Sequence, residues 1–314
     1  MQHLYPFLGE TNPSGTQDFL ALQLTGLQDK ETCGFIELEV SGSQQVVLLY
    51  AHGNHAGTYL IENGESHPLA AADLSTVWNG APIPIRTVPL TDASGRITWL
   101  ALESSAKNGL EIQDEAELER EIQKRKTSQL PGLIELSSEM GQGFAVIRPG
   151  EFLPLESVFL DMAGNEKSFL AAFSSSRQWT ASIGEVPPSS VAFDCFVLRQ
   201  GTLRWGNSAL SRFGDVAGLK FLHSTTQALQ SLIGTWHWNM SMSETTLSDT
   251  HFFIRPETAA QAYRAIFMII GAQMEFVIGN HLSQRILTEM FRQLQNEERA
   301  ALEAHRLIPA AFTD

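Results

Sequence analysis

The sequence predicts an α+β fold: two strand-rich units with antiparallel sheets, followed by a helical C-terminal segment. Three observations carry that reading. Short apolar runs, alternating or β-branched and punctuated by Gly, Asn and Pro, fill residues 34–103. Pieces of the same kind return beyond a charged stretch at 111–126. From Pro256 the chain then runs to Ile308 without another proline, and Ile270, Met274, Ile278, Leu282, Ile286, Met290 and Leu294 recur at intervals of four.

In chain order, "QDFLALQ" (17–23) gives a short helix or strand packed by Phe19, Leu20 and Leu22. "GFIELEV" (34–40) alternates apolar and acidic residues after Phe35, the period of a half-buried strand. "QQVVLLY" (44–50) is continuously apolar and β-branched, as a more central strand requires. "GTYLIE" (57–62) is extended, and "HPLAAADLSTVWNG" (67–80) reads as a helix ended by Asn79-Gly80. "PIPIRTVPL" (82–90) and "RITWLALE" (96–103) add two extended pieces, which closes a first α+β domain at 1–107.

"EIQDEAELEREIQKRK" (111–126) places acids first and bases last, which complements a helix dipole. Ile112, Leu118 and Ile122 give it only a narrow apolar stripe, and Pro131-Gly132 stops it. This reads as a solvated connecting helix within a linker at 108–132, with a partner-binding helix as the alternative. "GFAVIRP" (143–149), "SVAFDCFVL" (190–198) and "GTLRWG" (201–206) then read as extended pieces of a second α+β domain, 133–255. "FLAL" at 19–22 has a counterpart in "FLAA" at 169–172, Gly34 in Gly184, and Gly53 in Gly201 once two residues are dropped. Two readings stand, a diverged repeat and a chance likeness.

The helical segment, 256–314, has an apolar stripe at a spacing of four, which drifts about 40° per step, so it winds or breaks. Gly279-Asn280 is the natural break. The stripe suits a core-packing helix pair or an oligomerisation face, for which Met274, Ile278, Leu282 and Met290 are the candidate contacts.

A formal net charge of −14 repels phosphate backbones and argues against nucleic-acid binding. Two cysteines, Cys33 and Cys195, exclude a disulfide framework and a cysteine-rich zinc module. The first fifteen residues have no basic region or long apolar core, so no signal peptide is expected. "AIFMIIGAQMEFVIG" (265–279) is too short for a bilayer and carries Gln273 and Glu275, so no membrane span is expected. A cytoplasmic location follows as an expectation.

Catalytic patterns are weak. "LLYAHGNHAGTYLIENG" (48–64) holds His52 and His55 around Gly53-Asn54. With Gly53-Asn54 as a two-residue hairpin loop, the histidines become the flanking cross-strand pair. A zinc ion would need a third ligand, for which His67 is the nearby candidate; the plainer reading is a turn, with no metal. "GQGFAV" (141–146) lacks the third glycine of a nucleotide loop, and Ser248, Asp249 and His251 are too close in sequence to form a triad on one strand. In "GTWHWNMSMSE" (234–244), Trp236 and Trp238 flank His237; spaced by two on a strand they would share one face and fill a core seam or stack on a ligand.

The run "FLALQLTGLQDKETCGFIELEV", with "QQVVLLYAHGNHAGTYL" after it, resembles the bacterial PATAN-type signalling domain. Thr32-Cys33-Gly34, Ile36-Glu37-Leu38 and Gly53 occupy that family's helix-ending turn, first strand and hairpin tip. The likeness covers roughly residues 15–65, with a second stretch at 165–210; Asn54-His55-Ala56 stands directly at the tip, where the family has an acidic-Gly pair. It implies a protein-interaction module in bacterial regulation or motility, with no catalytic residues to carry over. The expectation is a non-enzymatic regulatory or scaffold protein that binds other proteins, itself included, and needs no cofactor. The alternative is a small-molecule sensor or enzyme whose site gathers His52, His55, Trp236, His237 and His251 from distant positions.

Overall fold

The computed structural model describes residues 9–29, 31–104, 112, 114–128, 130–138, 141–158, 170, 171, 173, 180–187 and 189–307. The signal-peptide reading at 1–15 and the "FLAA" counterpart at 169–172 therefore lie partly outside the described residues. The fold is α+β, with antiparallel sheets first and helices after. The chain falls into two compact units, 1–190 and 191–314, and the domain breaks expected at 107/108, 132/133 and 255/256 fall inside them.

In the first unit, strands β1 (Glu10–Gly15), β2 (Cys33–Ser41), β3 (Gln44–Ala51), β4 (Asn54–Glu62), β5 (Glu65–Pro68) and β6 (Ile83–Leu90) form a six-stranded sheet. Its order is β1-β6-β2-β3-β4-β5, antiparallel throughout. Helix α1 (Gln17–Asp29) lays Leu20 and Leu27 on one face, against Ile36, Leu38, Val46, Leu48, Tyr50 and Ile85, with Trp78 alongside. The stretch 67–80 gives less helix than expected, a 3-10 turn and the single turn α2 (Leu74–Val77).

Because strand side chains alternate, Phe35, Val47, Leu49, Tyr59 and Val88 point to the other face, and they too are buried. Helix α3 (Asp92–Glu103) covers them, and Trp99 Nε1 donates to the Tyr59 hydroxyl at 2.8 Å. "RITWLALE", read as extended, is thus helical. Its start signal is present: Thr91 Oγ1 accepts the Ser94 amide at 3.1 Å, an N-cap bond. Ile97 and Trp99 to Leu102 are all buried, since α3 meets both this sheet and β9, and that double cover erases a one-sided apolar period. The same cover corrects β2 from half-buried to buried on both faces. Its Glu37 meets Arg86, its ladder partner on β6, in a buried ion pair, and the Arg86 guanidinium lies over the Phe35 ring.

Strands β7 (Gly132–Ser138), β8 (Gly141–Arg148), β9 (Glu151–Val158) and β10 (Thr180–Glu185) make a second antiparallel sheet, ordered β10-β7-β8-β9. Helix α4 (Glu115–Lys126) begins at Asp114, whose Oδ1 accepts the Ala116 amide at 2.9 Å. It is not a solvated connector. Leu118 and Ile122 are fully buried against Ile134, Leu136, Ala145, Ile147 and Ile183, so the narrow stripe is wide enough to dock one helix on one sheet.

The second unit is built from α5 (Val191–Ala217), α6 (Leu219–Trp236), the hairpin β11 (Met240–Ser243) and β12 (Thr246–Asp249), α7 (Pro256–Ile278), α8 (Asn280–Arg292) and α9 (Asn296–Ala304). Residues 191–206, read as two extended pieces, are one continuous helix. Trp205 stacks on Phe267 at 4.0 Å and donates through Nε1 to the Leu287 carbonyl at 2.9 Å. Gly201 sits mid-helix, where an added Cβ would come 3.1 Å from the Glu298 Cβ, so it serves close helix packing and not a turn. Gly53 lies in the turn between β3 and β4, whereas Gly201, its expected counterpart, lies inside a helix. The break at Gly279 is present, at φ +79° between α7 and α8.

Candidate functional site

The antiparallel ladder decides which residues meet. Strand β2 lies between β3 and β6, so the start of β2 is level with the ends of both neighbours. Cys33 pairs with Leu90 and Gly34 with Tyr50. Two residues past Leu90 comes Asp92, the first residue of α3, and two past Tyr50 comes His52, in the turn between β3 and β4. Three segments distant in sequence therefore present a thiol, an imidazole and a carboxylate at one edge of the sheet.

The Cys33 thiol donates to Asp92 Oδ1 at 3.1 Å, and His52 Nε2 lies 3.1 Å from Asp92 Oδ2. The sulfur, one imidazole nitrogen and one carboxylate oxygen all lie within 4.8 Å of one another. Cys33 is buried, while the side chains of His52 and Asp92 are 29% and 11% exposed, so the cluster opens on the histidine side. Burial, reinforced by the hydrogen bond to Asp92, pushes the Cys33 thiol up to about 12, although a His52 backbone contact and Arg96 oppose the shift. A thiol nucleophile is activated by an adjacent base or by a lowered pKa. Here the carboxylate stands between thiol and imidazole, and the thiol stays protonated near neutral pH. The arrangement suits proton sharing or cation holding better than covalent catalysis.

The hairpin loop is His52-Gly53, one residue earlier than expected, with Ala51 and Asn54 as the flanking pair. Both loop residues have positive φ, +48° at His52 and +74° at Gly53, the backbone of a type I′ hairpin. The shift has a packing cause. A Cβ on residue 53 would lie 2.8 Å from the Gln28 carbonyl oxygen, so glycine is required where the tip meets the end of α1. His55 consequently falls inside β4, opposite Tyr50, with its ring 5.4 Å from the tyrosine ring and Nε2 at 2.9 Å from Thr58 Oγ1. His67 lies on β5 opposite Leu60, near Glu65 at 3.7 Å. Six strand positions separate Asn54 from Leu60, about 20 Å, so His67 is no third ligand for His52.

In the second unit, Trp236 closes α6 and His237 is its left-handed C-cap at φ +54°, so this stretch is no strand. The tryptophans meet all the same, stacked at 6.0 Å, and Trp238 reaches Phe253, whose ring takes His251 at 4.5 Å. Trp236 is 62% exposed at the open end of this aromatic ladder. Asp249 accepts from the Tyr263 hydroxyl and from the His251 amide, and His251 Nδ1 accepts the Asn239 amide, so this acid and histidine brace the hairpin. Met274 is fully buried in the helical core, Ile278 and Met290 pack partly against it, and Leu282 is exposed.

Sequence reasoning singled out His52 but missed Cys33 and Asp92. The usable signal was Thr91-Asp92 as a helix start directly after a strand that pairs with β2. Comparison with protein-family models, with curated proteins and with solved structures finds no match.

Proposed function

We propose that this is a non-enzymatic regulatory or scaffold protein that acts through protein–protein contacts, with self-association through its C-terminal helices. The observation that carries the reading is a stripe on α7. Met268 is 70% exposed and Phe276 86% exposed, with exposed Ala272 between them at the i+4 spacing that places all three on one helix face. The opposite face of the same helix holds Ile266, Ile270 and Met274 in the core, so α7 is apolar on both sides. Ser224 donates to Gln273 Oε1 at 3.3 Å, which brings exposed Phe221 of α6 to the same end of the helix pair as Phe276. Aromatic and methionine side chains clustered in the open are the composition of an interface centre.

The resemblance of residues 15–65 to a bacterial PATAN-type signalling domain supports the same reading, as does the order of helix, strand and glycine-tipped hairpin over α1 to β4. The test compares the wild type with Met268→Asp/Phe276→Asp by light scattering across a concentration series, with partner capture from lysate alongside. Oligomers and captured partners that the double variant loses support the reading. A wild type that stays monomeric and captures nothing sinks it.

A further inference from the structure

We propose that Cys33, His52 and Asp92 form a binding site for a divalent cation of the zinc class. The sulfur, nitrogen and oxygen already lie within 4.8 Å of one another. Zinc bonds of about 2.0–2.3 Å set ligand atoms roughly 3.5 Å apart around a tetrahedron, so side-chain shifts of about 1 Å close the set. The donor chemistry selects the metal: magnesium and calcium take oxygen ligands, whereas thiolate with imidazole suits zinc and its neighbours. Three protein ligands leave the fourth position to a water molecule.

Two features of the backbone favour a built site over a chance meeting. The ligands hang from the start of β2, the β3–β4 turn and the first residue of α3, and the β2–β3 and β2–β6 ladders hold those three points together without help from an ion. His52 also occupies a left-handed turn position, φ +48°, that Asn, Asp or Gly fills at lower strain. The turn alone does not call for a histidine there. Its imidazole already meets Asp92 at 3.1 Å, and an ion would tie it to Cys33 as well.

Binding proceeds with balanced charge. The Cys33 S–H bond breaks, its proton leaves to solvent, and the sulfur keeps the electron pair that forms the metal bond. The Asp92 oxygen that accepted the thiol hydrogen bond is released to face the ion. Thiolate and carboxylate carry two negative charges, and Arg96, whose charge acts on Cys33, offsets one of them. The pocket keeps a net negative charge toward a divalent ion.

The test uses the full chain, stripped with a chelator and titrated with Co²⁺, then with Zn²⁺ in competition. The expected result is saturation at one Co²⁺ per chain with a thiolate-to-cobalt charge-transfer band, and release of about one proton per ion in weak buffer. Cys33→Ser removes the band, while Cys195→Ser and His55→Gln leave the titration unchanged. His52→Asn, which keeps a residue suited to the left-handed backbone, weakens binding by at least about 10-fold. Absence of the band in folded wild type, or its survival in Cys33→Ser, overturns the proposal. Should Cys33→Ser fail to fold, an unchanged Co²⁺ affinity in His52→Asn overturns it instead.

Discussion

At Cys33, burial and the neighbouring carboxylate act in the same direction, and with its pKa pushed up to about 12 the side chain is a thiol across the working pH range. At pH 8 such a group is roughly a thousandfold less ionised than an unperturbed thiol near 8.5. A thiol reagent added to the metal-free native protein at that pH is expected to label the half-buried Cys195 first. Cys33 should follow only much more slowly than it does in the unfolded chain, and equal labelling of both would contradict its burial. His55 works the other way: burial lowers its pKa from 6.5, with a backbone bond at Gly57 opposing in part. The unfolded chain takes up a proton near 6.5 while the native chain resists it, so the unfolded state binds more protons below that value. Stability is therefore expected to fall as the pH drops through 6.5, levelling off once the native pKa is passed. Urea midpoints measured from about pH 7 to roughly pH 5.5 should fall more for wild type than for His55→Gln, and parallel profiles would show that His55 contributes nothing.

Among the elements, the β3–β4 turn and α4 carry the sharpest stability predictions. Gly53→Ala forces a side chain into φ +74° and against the Gln28 carbonyl, and is expected to cost about 1–3 kcal/mol. Gly42→Ala, with open space at its Cβ, should leave the urea midpoint nearly unmoved. Leu118→Ala is expected to cost about 2–4 kcal/mol because Leu118 is buried on the second sheet, whereas a solvated linker would lose almost nothing. Strands β2, β3, β4 and β6 were legible because β-branched and alternating runs bounded by turns leave few alternatives. The helices α3 and α5 were not legible as helices. Both are buried around much of their circumference, and a 3.6-residue apolar period shows only when one side faces water. The Cys33–Asp92 contact spans 59 residues and exists only because β2 pairs with β6, a register that the local sequence does not state. His52 was visible as a histidine in a glycine-bearing turn, but its partners were not.

Taken whole, the molecule keeps a net charge of −14 and, among the described residues, no helix long and apolar enough to cross a membrane, yet its second unit leaves large apolar side chains in the open. Burying a side chain of that size is worth about 1.5–3 kcal/mol, and at Phe276 the free chain forgoes nearly all of it. Phe276→Ser should therefore leave thermal stability within about 0.5 kcal/mol of wild type while weakening association, a separation that a core phenylalanine such as Phe267 would not show. The most direct test of the interaction reading is hydrogen exchange of the full chain at low and high protein concentration. Amides of α7 around Met268 to Phe276 are expected to exchange more slowly as concentration rises in wild type, and to lose that dependence in Met268→Asp/Phe276→Asp. Exchange in this stretch that ignores concentration, and is the same in both proteins, would contradict self-association through this face.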